Sequence, residues 1–249
     1  MKALGIDIGG SSVKGGIVDL ERGELVSERF KVKTGAIPAP QVRVLDAFEE
    51  LIRHFKWTGK VGVGFPALVR DQVIRTATNV DKAWVGCDIG KVFGKRAGLR
   101  VYGINDADAA GLAEAVFGNG RRHPGTVLLL TLGTGIGSAL LRQGILVPNT
   151  EFGHLQFKGD TAEAYCSVRT KDRLGLSTKK WAKRLDAYLH HLELLLAPDL
   201  ILLGGGISRK FDSFARYLTV TTEVRPAQMH NIAGIVGAAM VTRKKWRPS

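Results

Sequence analysis

LLLTLGTGIGS, at residues 128–138, decides how the rest of the chain is read. Apolar residues lead into Gly133-Thr134-Gly135, Gly137 follows, and apolar residues then resume. The pattern predicts a buried strand, a tight glycine turn and a second strand returning beside the first. Glycines lack Cβ atoms, so backbone N–H groups and the Thr134 hydroxyl can come close to a phosphate. An ordinary hairpin has the same pattern, and this stretch alone does not separate the two.

A second copy lies near the start, in LGIDIGGSSVKGG at residues 4–16. With Gly9 laid on Gly133, Asp7 falls on Thr131 and Ile8 on Leu132. One strand–turn–strand device in each half predicts two similar α/β domains. Facing each other across a cleft, two phosphate-cradling turns would clamp one polyanion. Asp7 ends the first strand, and a carboxylate beside a phosphate turn suits a bridging Mg²⁺. Ser11 and Ser12 add hydroxyl donors, and Lys14 adds a positive charge.

The chain has 249 residues, 45% of them hydrophobic, which is ordinary for a soluble globular enzyme. No stretch approaches a membrane span, and residues 1–10 read as a strand rather than a signal peptide. Cys87 and Cys166 are too few for a disulfide framework, so a reduced, cytoplasmic setting is expected. Neither has a Cys or His nearby at metal-ligand spacing. The charge is less ordinary: 36 Lys and Arg against 23 Asp and Glu give +13. Such a field attracts polyanions. The basic residues gather at Arg121-Arg122-His123, at 169–184 (seven cations, one Asp), and at Arg243-Lys244-Lys245 with Arg247.

In chain order, strands are expected at 2–8, 13–20 and 24–32, and an amphipathic helix at 42–55. Further strands are expected at 60–65 and 101–104, with an extended run over 73–80 ending near Asn79. Residues 88–97 read as a helix stopped by Gly98. The strand at 101–104 runs into Asn105-Asp106-Ala107-Asp108 and a helix over 107–117. Open α/β sheets place catalytic groups at such strand ends. Asp108 is expected to serve only as an N-cap, whereas Asp106 is a candidate catalytic carboxylate. Glu151 and His154 lie three apart in a loop after a short strand at 144–147. Residues 161–167 and 178–196 read as helices, with Glu163 in the first turn of the former. A strand at 199–203 meets Gly204-Gly205-Gly206, a turn that suits either a nucleotide or close packing. A last strand is expected at 218–223 and a last helix at 231–243.

Taken together and in this order, LGIDIGGSSVKGG, VGVGFPALV, TATNV, INDADAAGLAE, LLLTLGTGIGSAL, PNTEFGH and LLGGGIS resemble the ROK family of sugar kinases. Within it the chain resembles the polyphosphate-using glucokinases and glucomannokinases. The resemblance implies an actin-like ATPase (ribonuclease H-like) α/β fold, with two similar α/β domains around a cleft. These would span residues 1–106 and 107–230, with 231–249 returning to the first domain. It implies transfer of a phosphoryl group from polyphosphate or ATP to the 6-hydroxyl of glucose or mannose, with Asp106 as general base. Asn79, Asn105, Glu151, His154 and Glu163 would bind sugar hydroxyls. Gly9, Gly10, Ser11, Ser12, Lys14, Gly133, Thr134 and Gly135 would line the phosphate channel. Gly205 and Gly206 would lie beside the adenosine of ATP, and Asp7 would place Mg²⁺, directly or through water.

Many family members follow Gly-His with a cysteine-rich zinc motif; here LQFKGDTAEAYCSV follows His154, and no structural zinc is expected. The family's repressors carry an N-terminal DNA-binding domain, which is not expected ahead of a strand starting at residue 2. The basic excess favours polyphosphate, whose binding releases counterions much as DNA binding does. Arg121, Arg122, Lys171, Lys179 and Lys180 are its candidate contacts. Neither a membrane nor a nucleic-acid partner is expected, and the sequence is compatible with a monomer or a homodimer. The competing readings are an ATP-only kinase of another hexose or an N-acetylhexosamine, and a non-catalytic sugar sensor.

Overall fold

The computed structural model describes residues 1–78 and 80–243, so Asn79, Lys244, Lys245 and Arg247 lie outside the described residues. The chain forms two units: Met1–Ala113 with the chain from Ile232 onward, and Glu114–Asn231. Each has its own apolar core.

The first unit begins with an antiparallel hairpin of β1 (Lys2–Ile8) and β2 (Ser12–Asp19), with Ile8 opposite Val13. The single strand expected over 24–32 is two short pieces, β3 (Glu24–Leu25) and β4 (Phe30–Lys33), both paired with β2. The break has a local cause. The Ile17 N–H donates to the Ser27 hydroxyl at 2.9 Å, so a side chain takes a place the ladder would have used.

Helix α1 (Gln41–Phe55) turns Val44, Ala47, Phe48 and Leu51 into the core, at the spacing one helical face requires. Next comes β5 (Val61–Phe65), buried at every position. It lies between parallel neighbours, which explains why it is apolar throughout rather than alternating. The extended run expected over 73–80 is cut short: β6 (Val69–Arg70) and β7 (Val73–Ile74) make a two-residue ladder. Helix α2 (Ile89–Ala97) is capped by Asp88, which accepts from the Lys91 N–H, and stops at left-handed Gly98. Strand β8 (Val101–Asn105) closes the sheet in the order β3-β2-β1-β5-β8 and passes directly into α3 (Asp106–Phe117).

The second unit repeats the plan. Strands β9 (Thr126–Leu132) and β10 (Ile136–Arg142) form its hairpin, and β11 (Ile145–Val147) extends it. A small ladder of β12 (Gln156–Phe157) and β13 (Asp160–Thr161) precedes α4 (Ala162–Cys166) and α5 (Val168–Arg173). Helix α6 (Thr178–Leu196) buries Trp181, Leu185, Tyr188, Leu189 and Leu192. The Trp181 indole donates to the Cys166 carbonyl at 2.8 Å. Burial pushes the Cys166 thiol up to about 12, so it stays protonated and packs as a small apolar side chain.

Strand β14 (Leu200–Gly204) runs parallel to β9, helix α7 (Phe211–Ala215) follows, and β15 (Glu223–Pro226) ends the order β11-β10-β9-β14-β15. The strand expected at 218–223 therefore starts at Glu223. Its β-branched residues are held by α6 instead. Asp186 accepts from the Thr219 N–H and hydroxyl, and Glu193 accepts from Thr221 and Thr222. These bonds lower the Glu193 carboxyl to about 2.

Helix α8 (Ala233–Met240), shorter than the 231–243 expected, packs on β1 and β5 of the first unit. Gly5 and Gly62 permit that approach. A Cβ on either would overlap the carbonyl oxygen of Ile235 or Ala238. No described helix is long and apolar enough to cross a membrane.

Candidate active site

Each hairpin turn is closed by a backbone bond from its first glycine. The Gly9 N–H donates to the Ser12 carbonyl at 2.9 Å, and the Gly133 N–H to the Gly135 carbonyl at 3.0 Å. The first turn holds residues 9–12 and the second, tighter by one, residues 133–135. A Cβ on Gly10 or Gly133 would meet nothing within 4 Å. Packing therefore does not demand glycine there, and without a Cβ the backbone N–H groups stay open to close approach.

At the end of β1, Lys14 Nζ stands 3.3 Å from Asp7 Oδ2, with the two side chains 28% and 19% exposed. The start of α8 comes up against the same carboxylate. A Cβ on Gly234 would lie 3.1 Å from Asp7 Cγ.

At the end of β8, Asn105 is buried and its amide is committed on both sides. Its Nδ2 donates to the Ala67 carbonyl at 3.0 Å, and its Oδ1 accepts from the Asp108 N–H at 2.9 Å. Asn105, not Asp108, therefore caps α3; Asp108 is the third helical residue. This corrects the N-cap expected at Asp108. An amide has two N–H groups and two lone pairs, so one of each remains for a ligand. Asp106 begins the helix half-buried, and its Oδ1 accepts from the Ala107 N–H at 2.8 Å.

In the second unit, a 3₁₀ turn at Phe152–His154 folds Glu151 and His154 toward each other. His154 Nε2 lies 3.8 Å from Glu151 Oε2, and His154 Nδ1 lies 3.8 Å from Glu163 Oε1. The Glu163 carboxylate also accepts from the Ile136 N–H at 3.2 Å. Burial raises the Glu151 carboxyl above its ordinary value; His154 opposes the shift and Glu163 adds to it. Two carboxylates around one imidazole make a polar cluster suited to sugar hydroxyls, which both donate and accept. Gly205 takes a left-handed φ of 81° where a Cβ would overlap the Leu132 carbonyl, bringing this glycine run beside the second turn.

The ROK family profile matches residues 3–170. The chain belongs to the ROK family. The ROK chain is 47% identical over 240 residues to a polyphosphate glucokinase of Mycobacterium tuberculosis, covering 96% of this chain and 90% of that one. It is similar to the inorganic polyphosphate/ATP-glucomannokinase of Arthrobacter sp. strain KM, with a TM-score of 0.93, 45% identity, and coverage of 96% and 97%. A ROK family glucokinase from Streptomyces griseus, solved with glucose and AMPPNP, gives a TM-score of 0.81 at 26% identity, over 96% of this chain and 98% of that one. The actin-like α/β fold expected from the sequence is the fold of this ROK protein.

The structure adds a residue that the sequence did not single out for a role. Ser138, buried in β10, donates its hydroxyl to the Thr150 carbonyl at 2.8 Å and accepts from the Phe152 N–H at 3.0 Å. It thus pins the backbone on both sides of Glu151. Only its place at the end of LLLTLGTGIGS pointed to it. Of the proposed polyphosphate contacts, Arg121, Arg122, Lys179 and Lys180 are exposed, and Lys171 Nζ lies 3.8 Å from Asp172.

Among the described residues, no three His, Cys, Asp or Glu side chains gather at metal-binding distance. Mg²⁺ does not require that many. It keeps several waters and takes one or two carboxylates plus substrate phosphates, which Asp7 beside the first turn fits.

Proposed function

We propose that this ROK protein transfers a phosphoryl group from inorganic polyphosphate or ATP to the 6-hydroxyl of glucose, and also to mannose. The observation that carries the reading is the Asp106 carboxylate at the β8–α3 junction, in a chain 47% identical to a polyphosphate glucokinase.

Asp106 accepts the proton of the sugar 6-hydroxyl as that oxygen attacks the terminal phosphorus. A carboxylate placed within hydrogen-bond reach of a hydroxyl can act as its general base. Asn105, with one N–H and one lone pair left over, holds a neighbouring hydroxyl, as do Glu151, His154, Glu163 and Asn79. Buried hydrogen-bond partners discriminate strongly against a sugar that lacks the matching group. The N–H groups of the turns at 9–12 and 133–135, with Ser11, Ser12, Thr134 and Lys14, hold the donor phosphates. Gly205 and Gly206 flank the nucleotide when ATP is the donor. Mg²⁺, held through Asp7 and water, would neutralise charge on the transferred group. Phosphoryl transfer relies mostly on such alignment and neutralisation.

The net charge of +13 supports a polyanionic donor, since ATP alone does not call for it. An end-point assay of glucose and mannose, each against long-chain polyphosphate and ATP with Mg²⁺, tests the reading. Sugar 6-phosphate is expected in all four combinations. No product from polyphosphate would sink the donor assignment, and no product from mannose would narrow the acceptor to glucose.

A further inference from the structure

Helix α5 is fastened to the second glycine turn: the Arg169 N–H donates to the Gly133 carbonyl at 3.1 Å. The helix is held from its other side as well. Ser167 caps it by accepting from the Thr170 N–H, and the buried Thr170 hydroxyl donates to the Ala164 carbonyl at 3.0 Å. The Arg169 backbone is therefore fixed beside residues that we read as phosphate-binding. Arg173 lies four residues on, so both arginines share one face of the helix, and both are exposed.

Two other cations of this basic cluster have partners of their own. Arg184 donates to the Tyr165 carbonyl at 3.1 Å and stacks on the Tyr165 ring, and Lys171 lies near Asp172. Among the described residues, no carboxylate or carbonyl accepts from the Arg169 or Arg173 guanidinium. Two like charges at this spacing cost a helix stability, a cost that a bound anion would offset. The planar guanidinium fork matches phosphate oxygens in pairs.

We propose that Arg169 and Arg173 grip the phosphates of a polyphosphate chain as it leaves the turn at 133–135, and that this pair favours the chain donor over ATP. The inference rests on the reading of polyphosphate as a donor. A linear polyphosphate has no adenosine to anchor at Gly205 and Gly206, so its hold must come from cations along its path.

The test is steady-state kinetics of the whole chain with both donors, on Arg169→Gln, Arg173→Gln and the double variant. In the double variant, kcat/KM for long-chain polyphosphate should fall about tenfold further than kcat/KM for ATP. The slope of log kcat/KM for polyphosphate against log salt should become shallower by roughly 0.7 per lost contact. Arg169→Lys with Arg173→Lys should restore that slope, because charge alone sets it. An equal fall with both donors, or an unchanged polyphosphate slope, would overturn the inference while leaving the kinase reading intact. A wild-type protein inactive with polyphosphate would overturn the donor reading and this inference together.

Discussion

The Glu163 carboxylate accepts from the Ile136 backbone N–H at 3.2 Å, and its other oxygen lies 3.8 Å from His154. Ile136 is the first residue of β10 after the second glycine turn. One side chain thus joins the element read as phosphate-binding to the cluster read as sugar-binding. Glu163→Gln keeps an acceptor for Ile136 but loses the charge facing His154. Glu163→Ala loses both and leaves a buried N–H without its partner, at a cost of about 1–3 kcal/mol. Both variants should raise the glucose KM, and Ala should lower the melting temperature clearly more than Gln. Melting curves run beside sugar titrations check this; equal melting shifts would mean that the Ile136 bond is not what Glu163 contributes to stability.

Asp106→Asn separates binding from chemistry. The asparagine oxygen can still accept from the Ala107 N–H, which Asp106 holds at 2.8 Å, so the start of α3 should keep its shape. The amide cannot accept the hydroxyl proton. We expect kcat to fall about 10²- to 10⁴-fold, with glucose affinity by calorimetry within a few-fold of wild type. An unchanged kcat would remove Asp106 from the role of base.

Glu151 sets an acid limit. Its carboxyl is raised above 4.5 by burial, so the folded protein holds that proton at pH values where the unfolded chain has lost it. The stability this contributes is fully present below 4.5 and lost as pH rises through the folded value. Sugar binding runs the other way, because hydroxyl donors favour the ionised carboxylate. Affinity for glucose should fall as pH drops through the raised value, above the usual carboxylate range. Glu151→Gln should bind glucose more weakly at neutral pH and lose that acid limb. An acid limb that persists in the variant would assign the titration to another group.

The two hairpins were legible because apolar strands interrupted by glycine leave few other ways to fold, and the repeat fixed their number. Asp106 was legible because an apolar strand ran straight into a helix-forming stretch. The cap at Asn105 was not: Asn and Asp cap equally well, and only the observed Asp108 N–H to Asn105 bond distinguishes them. The last strand was misplaced for a similar reason. Thr219, Thr221 and Thr222 have the β-branched shape of a strand, but their partners, Asp186 and Glu193, lie far away in the sequence. Glu151 and His154 could be paired from their spacing beside Gly153, but Glu163 joined them only through family resemblance, because a five-residue helix carries no periodic signal.

Ser138 offers a test of how tightly Glu151 must be held. Its hydroxyl bonds the residues on either side, Thr150 at 2.8 Å and Phe152 at 3.0 Å. Ser138→Ala removes both bonds and strands the Phe152 N–H, which should cost about 1–3 kcal/mol of stability. The functional effect should be selective. Glu151 would lose its fixed backbone, so the glucose KM should rise several-fold. The turn at 133–135 keeps its own bond between Gly133 and Gly135, so the KM for the phosphoryl donor should change much less. Ser138→Thr retains the hydroxyl and should recover part of the sugar affinity. Equal rises in both Michaelis constants would show that Ser138 supports the whole sheet rather than the sugar-binding turn.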